Sequence, residues 1–270
     1  MTSARRRHNR QCGFTLVELI IVIVLLGILG TMGAEFITQA FKGFSDTDAR
    51  TEIYEEGQLV LARMERELRI TLPNAIQVEP GNSGLTFGMI DENAMTCPAA
   101  ADPRDCVFGR YIDNNPAGKQ FIRDQTNPLP VGSIVSIYNR NWSDFSDTNP
   151  NQRRLYRVTS ITAPINRMDL DRSVIASSPG NRFYAVNRAV RYFLNNTTLT
   201  RAAVTIDSSN YLNPVTFPTG NPLAENVSSL TFDFTPGSLT SSALVSIRFT
   251  IDRNGEAMDF HKEVQIRNAP

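Results

Sequence analysis

The feature that most constrains this chain is an apolar run at residues 14–34, "FTLVELIIVIVLLGILGTMGA", in which Glu18 is the single charged side chain. At about 1.5 Å per residue a helix of that length covers roughly 31 Å, the thickness of a bilayer's hydrocarbon core. Arg5, Arg6, Arg7 and Arg10 precede the run and no acid does. By the positive-inside rule the amino terminus stays in the cytoplasm and everything after about residue 34 is exported. A secretory signal peptide shares the basic start and apolar stretch, but "TMGAEFITQAF" offers only a weak cleavage site and runs straight into a helix-compatible pattern. Glu18 is then the anomaly, because an uncompensated acid in lipid costs several kcal/mol and such residues usually have a partner.

The border "CGFTLVE" followed by the apolar run resembles the class III signal of type IV pilins and pseudopilins. The resemblance implies that a prepilin peptidase and methylase cuts on the cytoplasmic side between Gly13 and Phe14 and N-methylates Phe14. Glycine at the cut lets the backbone extend in a protease cleft. Glu18 becomes the fifth residue of the mature chain, about one helical turn from a new amino terminus. In that family the glutamate of one subunit meets the amino terminus of a neighbour, so Glu18 and Phe14 are the expected subunit-assembly residues. Neutralisation of Glu18 by its own chain's Phe14 amine, or snorkelling to the interface, are the alternatives.

The helical pattern continues beyond the membrane. No proline occurs from Thr38 to Leu72, and Ile53, Gly57, Val60, Leu61, Met64 and Leu68 recur at spacings of three and four. Glu65 precedes Arg69 by one helical turn, the favourable order for an ion pair. Pro73 is expected to stop the helix. One helix of about 59 residues, roughly 88 Å if straight, is too long for one globular domain. The expected division is a leader at 1–13, a membrane or filament-core helix at 14–41, an amphipathic helix at 42–72 and a β-rich head at 73–270. "AFKGFSD" is the expected place for a bend or loosening.

After Pro73 the segments "SIVSIYNRN", "RLYRVTSIT", "NRAVRYFL", "VSSLTFDFT" and "ALVSIRFTID" alternate apolar and polar residues between stretches rich in Asn, Pro, Gly and Ser. They predict antiparallel strands, and Asn254-Gly255 predicts a tight hairpin turn. A long helix laid on an antiparallel sheet is an α+β fold, and it is also the pilin arrangement. Cys12 leaves with the leader, so the exported pair Cys97 and Cys106 is expected to form a disulfide. The competing two-cysteine metal site lacks CxxC spacing and a neighbouring histidine.

No catalytic constellation stands out, and no cofactor or metal is expected. The mature chain has one histidine, His261, on a predicted strand, and "MDLDRS" lacks the glycine and distal glutamate of a calcium loop. With 27 basic and 27 acidic side chains balancing to zero net charge, the sequence shows no general attraction to nucleic acid. Tyr138, Trp142 and Phe145 lie in the polar segment "YNRNWSDFSDTNPNQRR" and are candidates for partner contact, the alternative being that they tuck under the loop.

Three further stretches, "LVLARMERELRITLPNAIQV", "AVRYFLNNTTLTRAA" and "VQIRNAP", resemble minor pilins. A head of roughly 200 residues is larger than a typical major pilin's, and Glu35 stands where many major pilins carry proline. The resemblance implies a non-enzymatic filament subunit whose partners are other minor pilins, a major pilin, an inner-membrane assembly platform and membrane lipid. Its implied location is the bacterial inner membrane, head in the periplasm, and then the filament. A type II secretion pseudopilin and a helix-anchored adhesin are the alternatives.

Overall fold

In the computed structural model, residues 15–94, 108–113, 115–123, 129–163, 166–237 and 241–266 are described. Helix α1 spans Leu16–Arg69 without interruption, through both Glu35 and Gly43, so the looser stretch expected at "AFKGFSD" is ordinary helix. The chain divides into two compact units, Met1–Thr51 and Glu52–Pro270. In the first, every side chain from Leu16 to Phe44 is exposed, and large apolar ones such as Leu16, Leu29 and Phe36 are more than 60% exposed. α1 is the one helix among the described residues long and apolar enough to cross a membrane. A surface this apolar is stable in lipid or against other helices, not in water.

The second unit is the head. Its strands are β1 (Thr71–Val78), β2 (Gly84–Ile90), β3 (Gly109–Arg110), β4 (Phe121–Arg123), β5 (Ile134–Ile137), β6 (Leu155–Thr162) and β7 (Arg167–Leu170), then β8 (Arg182–Asn195), β9 (Thr198–Thr205), β10 (Asn221–Ala224), β11 (Val227–Thr235), β12 (Ala243–Arg253) and β13 (Glu256–Ile266). A five-residue helix, α2 (Trp142–Ser146), follows β5. Ten strands form a sheet whose main order is β1-β2-β8-β5-β6-β7-β4, with β9 carrying β10 along the other side of β8. β11-β12-β13 form a second antiparallel sheet. This is the expected α+β arrangement of one long helix and an antiparallel head. Each of the five alternating segments lies on a strand, because one face of each meets a core.

The head's principal core joins α1 to both sheets. Ile53, Val60, Leu61, Met64 and Leu68 pack with Phe87, Val190 and Tyr192 of the larger sheet and with Phe232, Ile247, Phe249 and Phe260 of the smaller. All six positions of the predicted apolar helix face, Gly57 included, are buried. Gly57 is there because nothing larger fits: a Cβ built on it would lie 2.1 Å from the Phe260 ring. That ring stacks on Phe249 with centroids 4.9 Å apart. Gly57→Val is therefore expected to push Phe260 off its stack at about 1–3 kcal/mol. Thermal unfolding of the full chain in detergent, followed by near-ultraviolet circular dichroism, should show the midpoint falling by several degrees.

Two local outcomes have plain physical causes. α1 ends at Arg69, earlier than the expected stop at Pro73, and Pro73 instead lies inside β1. It is tolerated there because β1 is an edge strand whose register shifts between Thr71 and Ile76, and Asn74 in that bulge takes φ 58°. The β12–β13 hairpin forms as expected: Asn254 (φ 57°) and Gly255 (φ 85°) are both left-handed, as a two-residue type I′ turn requires.

Candidate functional site

α1 begins with a sequence-local device. Thr15 precedes the helix and its carbonyl accepts the first helical hydrogen bond, from Leu19 N, at 3.2 Å. Its Oγ1 accepts from Glu18 N at 3.3 Å, while Glu18 Oε2 accepts from Thr15 N at 3.4 Å. Thr15 Oγ1 also lies 3.4 Å from the same carboxylate oxygen. This is a reciprocal capping box, T-x-x-E, that satisfies two backbone donors left over at a helix start. The bonds are long and exposed, yet in an apolar surrounding an unsatisfied N–H is costly. Glu18 thus has a partner in its own chain, and it is Thr15. The spacing of threonine and glutamate was legible in the sequence; only the reading of Glu18 as a bare charge obscured it.

The box engages one oxygen, Oε2, in every contact Glu18 makes among the described residues. An acid on the positive end of a helix is favoured by the macrodipole. Gly13 and Phe14 precede the described residues, as do Arg5, Arg6, Arg7 and Arg10. Cys97 and Cys106 also lie outside them.

The other sequence candidates fall into the head. Phe145 is completely buried, with a ring carbon 2.6 Å from where a Cβ on Gly88 would be. It belongs to the core beneath the loop and offers nothing to a partner. Trp142 stacks on it at 5.1 Å and stays half-buried. Tyr138 adopts φ 55°, unusual for a bulky residue, and is clamped by Arg154, whose Nη1 donates to its carbonyl at 2.6 Å and whose guanidinium lies 5.1 Å from its ring centroid. Of the three aromatics, only Tyr138 and Trp142 keep surface for contact. Asp171 accepts from Arg157 N at 2.7 Å and from the Tyr211 hydroxyl, and Asp169 pairs with Arg167 at 2.7 Å, so "MDLDRS" is spent on internal bonds. His261 is an exposed β13 residue 3.2 Å from the Ser246 hydroxyl.

One functional group that sequence reading missed is Glu67. It lies on the buried face of α1 with 6% of its surface exposed, and there it meets two elements of the large sheet. Tyr192 of β8 donates its hydroxyl to Oε2 at 2.6 Å, and Arg201 of β9 donates Nε to the same oxygen at 2.9 Å. Tyr192 and Arg201 are directly opposed across the β8–β9 ladder, which puts both on one face. Burial first, then the Glu67 carboxylate, push the Tyr192 hydroxyl above its usual range, so it stays a donor. Desolvation is the largest single influence and works against the Arg201 charge, but the hydrogen bond and charge of Glu67, with a smaller contribution from Tyr192, together outweigh it and hold the guanidinium above its ordinary value. All three residues lie in the stretches "LVLARMERELRITLPNAIQV" and "AVRYFLNNTTLTRAA". The signal was an acid three residues after Met64 and seven after Val60, inside the apolar stripe.

Arg253 of β12 adds a second pin, reaching Glu52 at 3.1 Å and Glu56 at 2.7 Å, and Lys262 of β13 reaches Glu65 at 3.1 Å. The lower part of α1 is therefore clamped to both sheets by charge as well as by apolar packing.

Residues 8–34 match the family model described as the prokaryotic N-terminal methylation motif. The match covers about a tenth of the chain, and it supports a type IV pilin-like or pseudopilin-like protein whose border is a prepilin peptidase substrate site. The motif belongs to structural proteins, and the apolar α1 is consistent with a single-pass membrane anchor. Comparison of the chain with curated proteins finds no match.

Proposed function

We propose that this protein is a minor type IV pilin of the MSHA type, similar to the MSHA biogenesis protein MshO, that acts in the initiation and assembly of a filament. Prepilin peptidase cuts between Gly13 and Phe14, Phe14 is N-methylated, and the apolar part of α1 holds the chain in the inner membrane with the head in the periplasm. On assembly the same helix leaves lipid for the filament core, and the amino terminus of a neighbour pairs with Glu18. Cys97 and Cys106 close a disulfide in the exported head. The protein catalyses nothing; its partners are the peptidase, the assembly platform, other minor pilins and the major pilin.

The observation that supports this reading most is Glu18 itself, oriented by Thr15 at the start of a helix with an apolar, unpacked surface. A plain anchor needs no charge there, since an uncharged glutamine would complete the same cap at lower cost in lipid. Mass spectrometry of the mature amino terminus in the native host tests the reading directly. N-methyl-phenylalanine at Phe14 is the expected result, and Gly13→Leu is expected to leave the thirteen-residue leader attached, because a bulky side chain blocks the extended backbone in the cleft. Unaltered processing of Gly13→Leu, or a mature terminus elsewhere, would overturn it.

A further inference from the structure

The far end of the larger sheet gathers basic side chains on one face. Where β3 pairs with β8, Arg110 stands directly opposite Arg182, and where β4 pairs with β7, Arg123 stands directly opposite Arg167. Like charges so placed, with Cα atoms roughly 5 Å apart, destabilise a strand pair. Ile112 N donates to the Arg123 carbonyl at 3.0 Å, which sets the two arginine pairs side by side. Tyr111, Ile122, Met168 and Phe183 are buried in one core, so the alternating residues, the four arginines and Ile112, lie on the opposite face. Two phenylalanines steady the cations. Arg182 and Arg110 lie 4.7 and 5.5 Å from the Phe108 ring centroid, and Arg167, Lys119 and Arg123 lie 4.1, 5.8 and 6.0 Å from that of Phe121. Lys119 and Arg167 each pair with a carboxylate at 2.7 Å, Asp113 and Asp169. Among the described residues the side chains of Arg110 and Arg123 have neither a hydrogen bond nor an ion pair, and Arg123 Nε is a buried donor without an acceptor. A shallow groove of about 390 Å³ runs past Arg123, lined by Ile112, Asp113, Lys119 and Phe121.

We propose that this face binds a carboxylated polysaccharide, a polymer of uronic-acid units lying across β8, β3, β4 and β7. A guanidinium fork pairs bidentately with a carboxylate, and arginines on neighbouring strands repeat at about 5 Å, a step comparable with one sugar unit. Carboxylates arriving between directly opposed arginines relieve the repulsion that the free chain carries, which accounts for two such pairs in one sheet. Ile112, 50% exposed between Arg110 and Arg123, gives the C–H face of a sugar an apolar surface to cover. The chain as a whole has zero net charge, so the attraction is local to this face. Single-stranded nucleic acid fits it less well, because proteins that hold such strands offer open aromatic faces to the bases. Phe108 and Phe121 are instead engaged by guanidinium groups. The proposal rests on the pilin reading only for the export of the head, which puts this face within reach of such a polymer.

The experiment measures binding of the purified full chain, in non-ionic detergent, to polygalacturonate, with neutral dextran and a thymidine oligonucleotide as the other probes. Saturable binding to polygalacturonate is expected, weakening as salt is raised and absent with dextran. Arg123→Gln should weaken it about tenfold or more, the loss of one charge-assisted contact. The same variant should unfold at an unchanged or higher temperature, since one of two opposed charges is gone; a purely structural arginine would do the reverse. Arg110→Glu is the second variant, on a fully solvent-facing side chain, and is expected to weaken binding at least as much. Arg248→Glu, on the exposed face of the smaller sheet, makes the same change in net charge elsewhere and should leave binding as it was. No binding to polygalacturonate at low salt, equal loss with Arg248→Glu, or tighter binding of the oligonucleotide would each overturn the proposal. The purified chain is tested whatever its amino terminus, so failure here is distinct from failure of the processing test above.

Discussion

Glu18→Gln is expected to be cut, inserted in the membrane and helical from its first turn, yet to lower filament number by roughly ten- to a hundredfold. The reasoning separates two duties that Glu18→Ala would confound. Glutamine serves as well as glutamate at the third position of a capping box, so the bond to Thr15 N at 3.4 Å survives the exchange. What disappears is the charge available to a neighbour's amino terminus. A charge-assisted hydrogen bond is worth about 1.5–3 kcal/mol, which is the stated factor in an equilibrium. Glu18→Ala loses the reciprocal cap as well, a further cost of about 0.5–1 kcal/mol at the helix start. Sheared filaments counted by electron microscopy, beside membrane fractionation of the same cells, decide the matter. If Glu18→Gln assembles normally while Glu18→Ala fails, Glu18 is a cap and the recruitment role is abandoned.

The largest effect on stability is expected at Glu67. Glu67→Ala leaves the Arg201 guanidinium, 8% exposed, and the wholly buried Tyr192 hydroxyl without the carboxylate that joins them. Breaking a buried pair by removing one partner costs about 3–5 kcal/mol. In a domain of this size that corresponds to a fall of roughly 6–20 °C in the unfolding midpoint, measured on the full chain in detergent. Replacing Glu67 and Arg201 together with leucine should recover most of the loss, because it removes the stranded charge along with its partner. A double variant no more stable than Glu67→Ala would mean that lost packing, not an unpaired charge, is the cause.

Between them these residues show how far sequence reasoning reaches. The apolar face of α1, the alternating strands and the Asn254-Gly255 turn were legible because each is a repeat or a dipeptide whose physics is local. The left-handed positions were half legible. Asn74, Asn82, Asn166, Asn181, Asn196, Asn226 and Asn254 all take positive φ, which explains the asparagine-rich connections, whereas Tyr138 does so with its carbonyl bound by Arg154, a contact between residues distant in sequence. Phe145 looked available in a polar loop and is core, since burial depends on what lies beneath the loop, here Gly88. Pro73 followed the rule against proline in helices but not as a stop: α1 ends before it and the proline enters an edge strand.

The sequence by itself determined the amino-terminal logic of this protein: a basic start, an apolar helix of membrane length, and a glutamate one turn from a glycine-phenylalanine border. Those features act within a few residues of one another, so spacing is enough to read them. Only the tertiary structure decided that Glu67, Tyr192 and Arg201, the last 134 positions from the first, form one buried group. Their meeting depends on where a helix crosses a sheet and on the register of β8 against β9. No local rule carries that information, because a charge is stabilised by whatever the fold brings within about 3 Å of it.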